Sequence, residues 1–593
     1  MIQRITKRSW LALSLSMVVV MILAACGSDE EEAPTPAPTR PPAATATTAP
    51  ATQGPTAAPA STAIPASTPT PAATPTPTPR PVKTGGTFNL RVSGAFANSW
   101  DTLSTTGQFS AIILQNMLNN LTDVDPVDGS TIRNDLAQSY NISSDGKTIT
   151  YTLRRDVKWH DGTQFTAKDV VYTFNRAAKG SDPQAVAMVP RLRVIQSFDA
   201  PDDYTFRVLL TAPSASLFNT LSTPFMLMYP AHSPDVAGAW KANPVGTGGF
   251  KYKSFQNNVS TELQKNTTYW KKDAEGRPMP YLDGVMYQFI VDQALAFAAF
   301  RTGRLECTCG YSSDMLPEQK DEARRSIPNV KIGNSASMNV LYFSSRGALA
   351  NQKVRKAISV GLDRKTLANV VRGGGLVYPP TWLVPESFGG RFTLTNQELL
   401  TTPGFRIRNN AQDPADLDEA KKLFQEAGID PASLNLVIVA VPQQSDYAEV
   451  LSSILGKLGV KSTVRVIANT ADRVLALQRN DFDIATTGGG QTMDDPADQI
   501  VTFVSTGGTT NYGKHSNAEI DKLLTDQEQT LDFAKRRDMI RDLQRRMLDW
   551  ATFVPFAELT TVFATQPYVE NFPITRAFVV SAAHKFEGVW LNK

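Results

Sequence analysis

Beyond Cys26, the 593-residue chain contains only two cysteines, Cys307 and Cys309. A disulfide framework of the kind that staples small secreted domains is therefore excluded. At i and i+2 of a strand these two share one face, with α-carbons near the long end of what a disulfide tolerates. They read as two semi-buried apolar side chains, with a vicinal-type redox or metal role as the lesser alternative. Histidine is sparse as well: His160, His232, His515 and His584 lie far apart in sequence, and none has a short metal-ligand spacing. No metal site and no cofactor is expected. Charge of one sign is not in excess, with 59 Lys and Arg against 56 Asp and Glu, and no long basic run occurs. Nucleic-acid binding calls for a basic patch or domain, so a nucleic-acid partner is not expected. Catalytic signatures are missing too: there is no Gly-x-Ser-x-Gly elbow, no His-Glu-x-x-His and no supported Ser-x-x-Lys. No catalytic residue is assigned, and a hydrolase of peptides or glycans would need an active site built from distant residues.

The amino terminus is informative. Arg4, Lys7 and Arg8 precede an apolar segment from Trp10 to Ala25, interrupted only by Ser14 and Ser16. A basic stretch followed by an apolar one is the layout of a secretion signal, and the apolar part falls short of the roughly 20 residues that span a bilayer. Leu23-Ala24-Ala25-Cys26 resembles a bacterial lipobox, so residues 1–25 are expected to be a lipoprotein signal peptide and Cys26 the lipidated first residue. Residues 26–83 are then a linker made almost wholly of Pro, Thr and Ala after Asp29-Glu30-Glu31-Glu32. Such a segment has too few large apolar side chains to offset the entropy of ordering its backbone. Its prolines favour an extended spacer. The expected location is extracytoplasmic, anchored to the cell membrane through Cys26.

From residue 84 onward the chain is too long for one hydrophobic core, which implies two or three packed lobes. Gly85-Gly86 introduces an alternating strand, Thr87 to Val92, and Phe109 to Leu121 carries a helical apolar stripe. Ser144-Asp145-Gly146-Lys147 lies between alternating segments, a strong hairpin signal. Thr166, with Asp169 three residues later, suits a helix start in which the threonine caps. Asn243 to Phe250 is too rich in Gly and Pro for a helix interior and is expected to be a backbone bend feeding the strand Lys251 to Phe255. Helices expected at 353–364, 418–428 and 446–458 surround apolar strands at 434–440 and 460–466, the pattern of an open α/β lobe.

The least ordinary segment is Ala485 to Pro496. It puts Gly488-Gly489-Gly490 at the end of a strand, where open α/β sheets gather ligands. Gly490, Gln491, Thr492, Met493 and Asp494 are therefore candidate ligand-binding residues: the amide and hydroxyl bring donors and acceptors, and the methionine adaptable apolar surface. Equally, Asp494 or Asp495 could cap the next helix. Trp100, Phe109, Trp382 and Phe388 lie in or beside loop signals and are candidate pocket walls, although core packing is the commoner use for any one of them taken alone.

Taken together, several fragments resemble the bacterial extracellular solute-binding proteins of family 5, the peptide, oligopeptide and nickel class. They are Leu136-Ala137, Ser144-Asp145-Gly146, the run from Leu153 to Gly162, Phe165 to Val170, Asn243 to Gly248, Asn266 with Tyr269-Trp270, Val354-Arg355 to Asp363-Arg364, and Asn511-Tyr512 with Ser516-Asn517. The resemblance implies an α/β, periplasmic-binding-protein-like fold of type II, with two lobes, a hinge and an inserted small strand-rich domain. It places lobe I in residues 84–129, 243–310 and 557–593, the inserted domain in 130–242 and lobe II in 311–556. It also implies a non-enzymatic monomer that captures a peptide or other polar small solute and delivers it to ABC transporter permease subunits. Relatives that bind peptides commonly hold the ligand's amino terminus with an aspartate at the place of Thr492 and open the segment with an aromatic at the place of Gly489. That departure leaves two expectations: a peptide held by another acidic residue such as Asp494, or a neutral polar solute held by Gln491, Thr492 and backbone groups.

Overall fold

Among the described residues, three of the six sheets carry most of the strands. The computed structural model describes residues 81–92, 100–104, 108–125, 131–179, 188–233, 240, 243–309, 315, 317–371, 376–468, 470–490, 494–572 and 585–593. The signal, Cys26 and the linker up to residue 80 lie outside the described residues.

The first sheet has four strands in the order Thr87–Val92, Gly284–Phe289, Ser260–Lys265, Phe250–Gln256. Its first pair is parallel, Thr87 facing Gly284, and the other pairs are antiparallel. A second four-stranded sheet, wholly antiparallel, orders Ala137–Ile142, Thr148–Leu153, Thr205–Leu210 and Ile195–Asp202. The Asp-Gly hairpin forms as expected: Gly146 has φ +69°, and Ser143 N–H donates to the Thr148 carbonyl. Helix Ala167–Lys179 covers this sheet, its Phe174 packing on Phe198 and Phe206. At its start the capping carboxylate is that of Asp169, which accepts from Thr166 N–H at 2.9 Å and from the Trp159 indole and Ala231 N–H.

The third sheet has six strands: Leu376–Val377, Phe553–Thr565, Lys331–Phe343, Ile484–Gly490, Asn435–Ala440 and Lys461–Val466. Asn435–Ala440 runs parallel to both of its neighbours, so the edge is of the α/β kind anticipated from strands alternating with helices. The helices Gln352–Gly361, Pro414–Glu426 and Ser445–Lys457 bury Val354, Ile358, Phe424 and Leu451 on one face. Trp382, Phe482, Ile540 and Leu543 fill the other.

Two 13-residue strands, Lys331–Phe343 and Phe553–Thr565, connect the lobes. They pair from Tyr342 opposite Phe553 to Lys331 opposite Thr565, with a register shift between Asn339 and Val340. At one end Leu341, Val554 and Phe556 join the core of the six-stranded lobe. At the other, Val562 and Ala564 pack with Phe297, Phe300 and Leu305, and Phe563 enters the core of the first lobe. Residues 306–308 tie this end to the first sheet: Glu306 N–H donates to the Asn89 carbonyl and Thr308 N–H to that of Ala564.

Cys307 and Cys309 correct the expectation. They form a disulfide, and their α-carbons are 5.1 Å apart, well inside the bonding range. A straight strand would hold i and i+2 farther apart. Here the segment is pinched, bridging Leu90 on one side and Thr565 on the other.

The helix expected to reach Leu121 ends at Leu114. Its next turn is used differently: the carbonyls of Asn116 and Met117 accept from Phe250 N–H and Gly248 N–H. A glycine is required there, because a Cβ on Gly246 would stand 1.8 Å from the Met117 carbonyl oxygen. The 243–250 segment is thus the backbone bend the sequence indicates.

Candidate functional site

The strand Ile484–Gly490 ends beside the connecting strand, Gly488 facing Asn339, Gly489 facing Met338 and Gly490 facing Ser337. Gln491, Thr492 and Met493 lie outside the described residues. Asp494 and Asp495 follow, both buried.

The two aspartates have separate partners. Asp494 Oδ2 accepts from Arg391 Nε at 2.9 Å and from Arg391 N–H at 3.0 Å, while its Oδ1 has no hydrogen-bond partner among the described residues. Burial raises the Asp494 carboxyl above its ordinary value, and Arg391 offsets this only in part. The Arg391 side chain is 36% exposed, and its guanidinium lies over Phe533 at 5.4 Å. Asp495 caps helix Pro496–Gln499 through Ala497 N–H at 3.0 Å. It also receives both Arg536 Nη groups, at 2.7 and 2.9 Å, and the Asn219 amide at 2.8 Å. Of the two capping options, the structure uses Asp495.

Asn219 lies in helix Leu217–Leu221, just after the strand Thr205–Leu210 of the antiparallel sheet, so Asp495 is a contact joining that region to helix Phe533–Trp550, which carries Arg536. A second one lies beside it: Glu528 Oε1 accepts from the Ser214 and Ser216 hydroxyls and from Ser216 N–H, and its carbonyl from Ala215 N–H. Cavities flank these contacts. One of about 270 Å³ is lined by Arg191, Ser216 and Thr220 facing Thr502, Leu524 and Glu528. Another of about 300 Å³ is lined by Ile142, Phe218 and Asn219 facing Arg391, Phe533 and Arg536.

The aromatic candidates are dispersed. Trp100 is buried in the first lobe, edge-on to Tyr252 and Phe255. Phe109 sits in helix Gln108–Leu114 of the same lobe. Trp382 is buried in the second lobe, its indole donating to the Phe553 carbonyl at 2.9 Å. Phe388 is half-buried against Val384. Arg391, Arg536, Asn219 and Glu528 were not singled out from sequence. Arg536 is one of many basic residues on a charged helix, and nothing local marks the long-range partner it finds.

Among the described residues, no group of three or more His, Cys, Asp or Glu side chains is placed to hold a metal ion, and no helix is long and apolar enough to cross a membrane.

Comparison with known proteins adds the following. The family described as "Bacterial extracellular solute-binding proteins, family 5 Middle" matches residues 131–511. Di/tripeptide-binding protein 1 of Pseudomonas aeruginosa is 23% identical over 511 residues, covering 79% of this chain and 88% of that protein. Heme-binding protein A of Haemophilus influenzae is 25% identical over 491 residues, covering 76% and 82%. The structure of the periplasmic binding protein DppA from Helicobacter pylori in complex with the peptide STSA superposes with a TM-score of 0.69 at 22% identity, covering 86% of this chain and 99% of that one. The fold is thus the two-lobed α/β fold of periplasmic binding proteins, of type II.

Proposed function

Because the chain belongs to the bacterial extracellular solute-binding proteins of family 5, we propose that it captures a short peptide between its lobes and presents it to the permease of an ABC importer. It is an extracytoplasmic solute-binding protein. In this reading Cys26 carries the lipid that ties it to the membrane, and the Pro/Thr/Ala-rich segment provides reach. Lobe boundaries near residues 129, 242, 310 and 556 complete the assignment, with binding energy favouring the closed arrangement that the permease recognises.

The observation that carries the peptide assignment is Asp494 Oδ1, a buried carboxylate oxygen without a donor among the described residues, just after the glycine-rich strand Ile484–Gly490 in sequence. An unpaired buried acceptor is costly, and an ammonium group is a donor that removes the cost. Peptide-binding relatives give independent support. A charge-assisted hydrogen bond of this kind contributes about 1.5–3 kcal/mol, roughly a 10- to 150-fold preference.

Calorimetric titration of the purified protein with a tripeptide panel and its N-acetylated counterparts tests the assignment. One-to-one binding, recovery of the peptide intact, preference for the free amine and loss of that preference in Asp494→Asn are expected. Equal affinity for acetylated peptides, or binding of oligosaccharides alone, would move the assignment to a neutral solute, and repeated cleavage of the peptide would end it.

A further inference from the structure

Aromatic rings, aliphatic side chains and an incompletely bonded guanidinium meet in the cavity of about 300 Å³ between the antiparallel sheet and the start of helix Phe533–Trp550. Phe392 and Phe533, with ring centroids 5.3 Å apart, form one wall. Ile142, Ile149, Leu210 and Phe218 form the other. Much of this apolar surface is wet: Ile142, Leu531 and Phe533, which all line the cavity, are 38, 48 and 44% exposed. Tyr140 is exposed too and packs on Phe218 with ring centroids 4.6 Å apart, extending the same surface. A single exposed apolar side chain is ordinary, but several around one concavity are the mark of a binding site.

Arg536 and Arg391 both line the cavity, and they differ in how their nitrogens are used. Arg536 places both Nη groups on Asp495 and its Nε on the Gln527 side-chain oxygen. Arg391 gives its Nε and its backbone N–H to one oxygen, Asp494 Oδ2, and neither of its Nη groups has a hydrogen-bond partner among the described residues. Its guanidinium lies 5.4 Å from the Phe533 ring centroid and 5.7 Å from that of Phe392, so the free Nη pair stands at the aromatic wall.

The neighbouring acids do not take that place. Asp494 is buried on the Nε side of Arg391, and burial raises its carboxyl, which weakens its hold on the cation. Asp495 is enclosed by Arg536, Asn219 and Ala497 N–H, and Glu528 accepts from the Ser214 and Ser216 hydroxyls. A planar fork of N–H donors matches a carboxylate. Inorganic phosphate would turn its remaining oxygens toward aliphatic carbon, where no donor meets them, and a plain hydrocarbon would leave the fork unpaired. A monocarboxylate with one aromatic or branched arm satisfies both the fork and the walls. The cavity takes no lining residue from strand Ile484–Gly490 or from the two long connecting strands, so it is separate from the glycine-rich strand end.

We propose that this cavity is a second ligand site, one that takes a small apolar monocarboxylate with its carboxylate on the Arg391 Nη pair and its arm between Phe533 and the wall of Ile142 and Phe218. The proposal does not rest on the captured solute being a peptide.

Phenylacetate is the probe, with phenylacetamide and phenethylamine as neutral and cationic counterparts of similar shape, and equilibrium dialysis and saturation-transfer NMR on the purified protein read the binding. Saturable one-to-one binding of the acid with a Kd of about 1 mM or tighter is expected, with the amide weaker by about tenfold or more and the amine unbound. Phe533→Glu tethers a competing carboxylate beside the same guanidinium, in a first helical turn that favours an acid. It should abolish acid binding at an unchanged melting temperature. Arg391→Gln should weaken the acid by about tenfold or more and bring it level with the amide. Because that change also removes a partner of Asp494, Ile142→Ala is the companion: it touches no ion and should weaken acid and amide alike. Absence of saturable acid binding in wild type, equal affinity for acid and amide, or undiminished acid binding in Phe533→Glu would each overturn the site.

Discussion

Asp494 and Asp495 are neighbours of the same chemistry, yet one is left with an open oxygen and the other has all of its acceptor sites filled. Sequence shows two carboxylates before a proline and allows either to cap. Only the positions of Arg391 and Arg536, more than a hundred and about forty residues away respectively, decide between them. Glu558 is a sharper case. It lies on Phe553–Thr565, fully buried, with Thr381 Oγ1 at 3.5 Å from Oε2 and no partner for Oε1 among the described residues. Burial lifts its carboxyl well above the ordinary 4.5. The folded chain therefore keeps a proton that the unfolded chain loses. Its stability contribution is whole below pH 4.5 and is lost as pH rises toward the folded value, at up to about 1.4 kcal/mol per pH unit. Glu558→Gln should match wild type near pH 4 and exceed it at pH 8, with a flatter dependence, in urea unfolding followed across pH. A wild-type-like slope in the variant would remove Glu558 as its source.

Elements were the most legible scale. Helix Pro414–Glu426 and strands Asn435–Ala440 and Lys461–Val466 lie where their apolar periods put them, because a local period is set by which face is buried. The hairpin at Gly146 follows from a residue that accepts positive φ. Where an element borrows partners from afar, the local pattern misleads: the stripe past Leu114 remains buried, but its carbonyls serve the 248–250 bend instead of the helix. His160 closes the same bend, with Nδ1 accepting from Gly246 N–H at 3.1 Å and Nε2 lying 3.0 Å from the Gly248 carbonyl. Burial lowers its pKa to about 4, which keeps the ring neutral as this geometry demands. Gly246→Ala would drive a methyl into the Met117 carbonyl and sever this knot. A loss of about 2–4 kcal/mol is expected, read as a lower urea midpoint at unchanged m-value; a loss under half a kcal/mol would show that the bend can relax.

For the whole molecule, the two long strands Lys331–Phe343 and Phe553–Thr565 matter most, since they belong to one sheet and to two cores. Such a connection lets lobes turn about a shared ladder while each keeps its packing. A solute held between them should stabilise the folded chain by about 2.7 kcal/mol at a hundred times its dissociation constant. Calorimetric melting in the presence of the bound peptide checks this, and a melting temperature that ignores a saturating peptide would place its site outside the folded clamp. By itself, the sequence determined export, the run of strands and helices, the glycine-rich strand end and the family, because each is written in local composition, period or an ordered set of short motifs. The tertiary structure alone decided that Cys307 bonds Cys309, that Trp382 serves the core, and that Asn219 meets Asp495. Those pairings depend on which distant backbones the sheets bring within hydrogen-bonding distance, and no spacing along the chain encodes that.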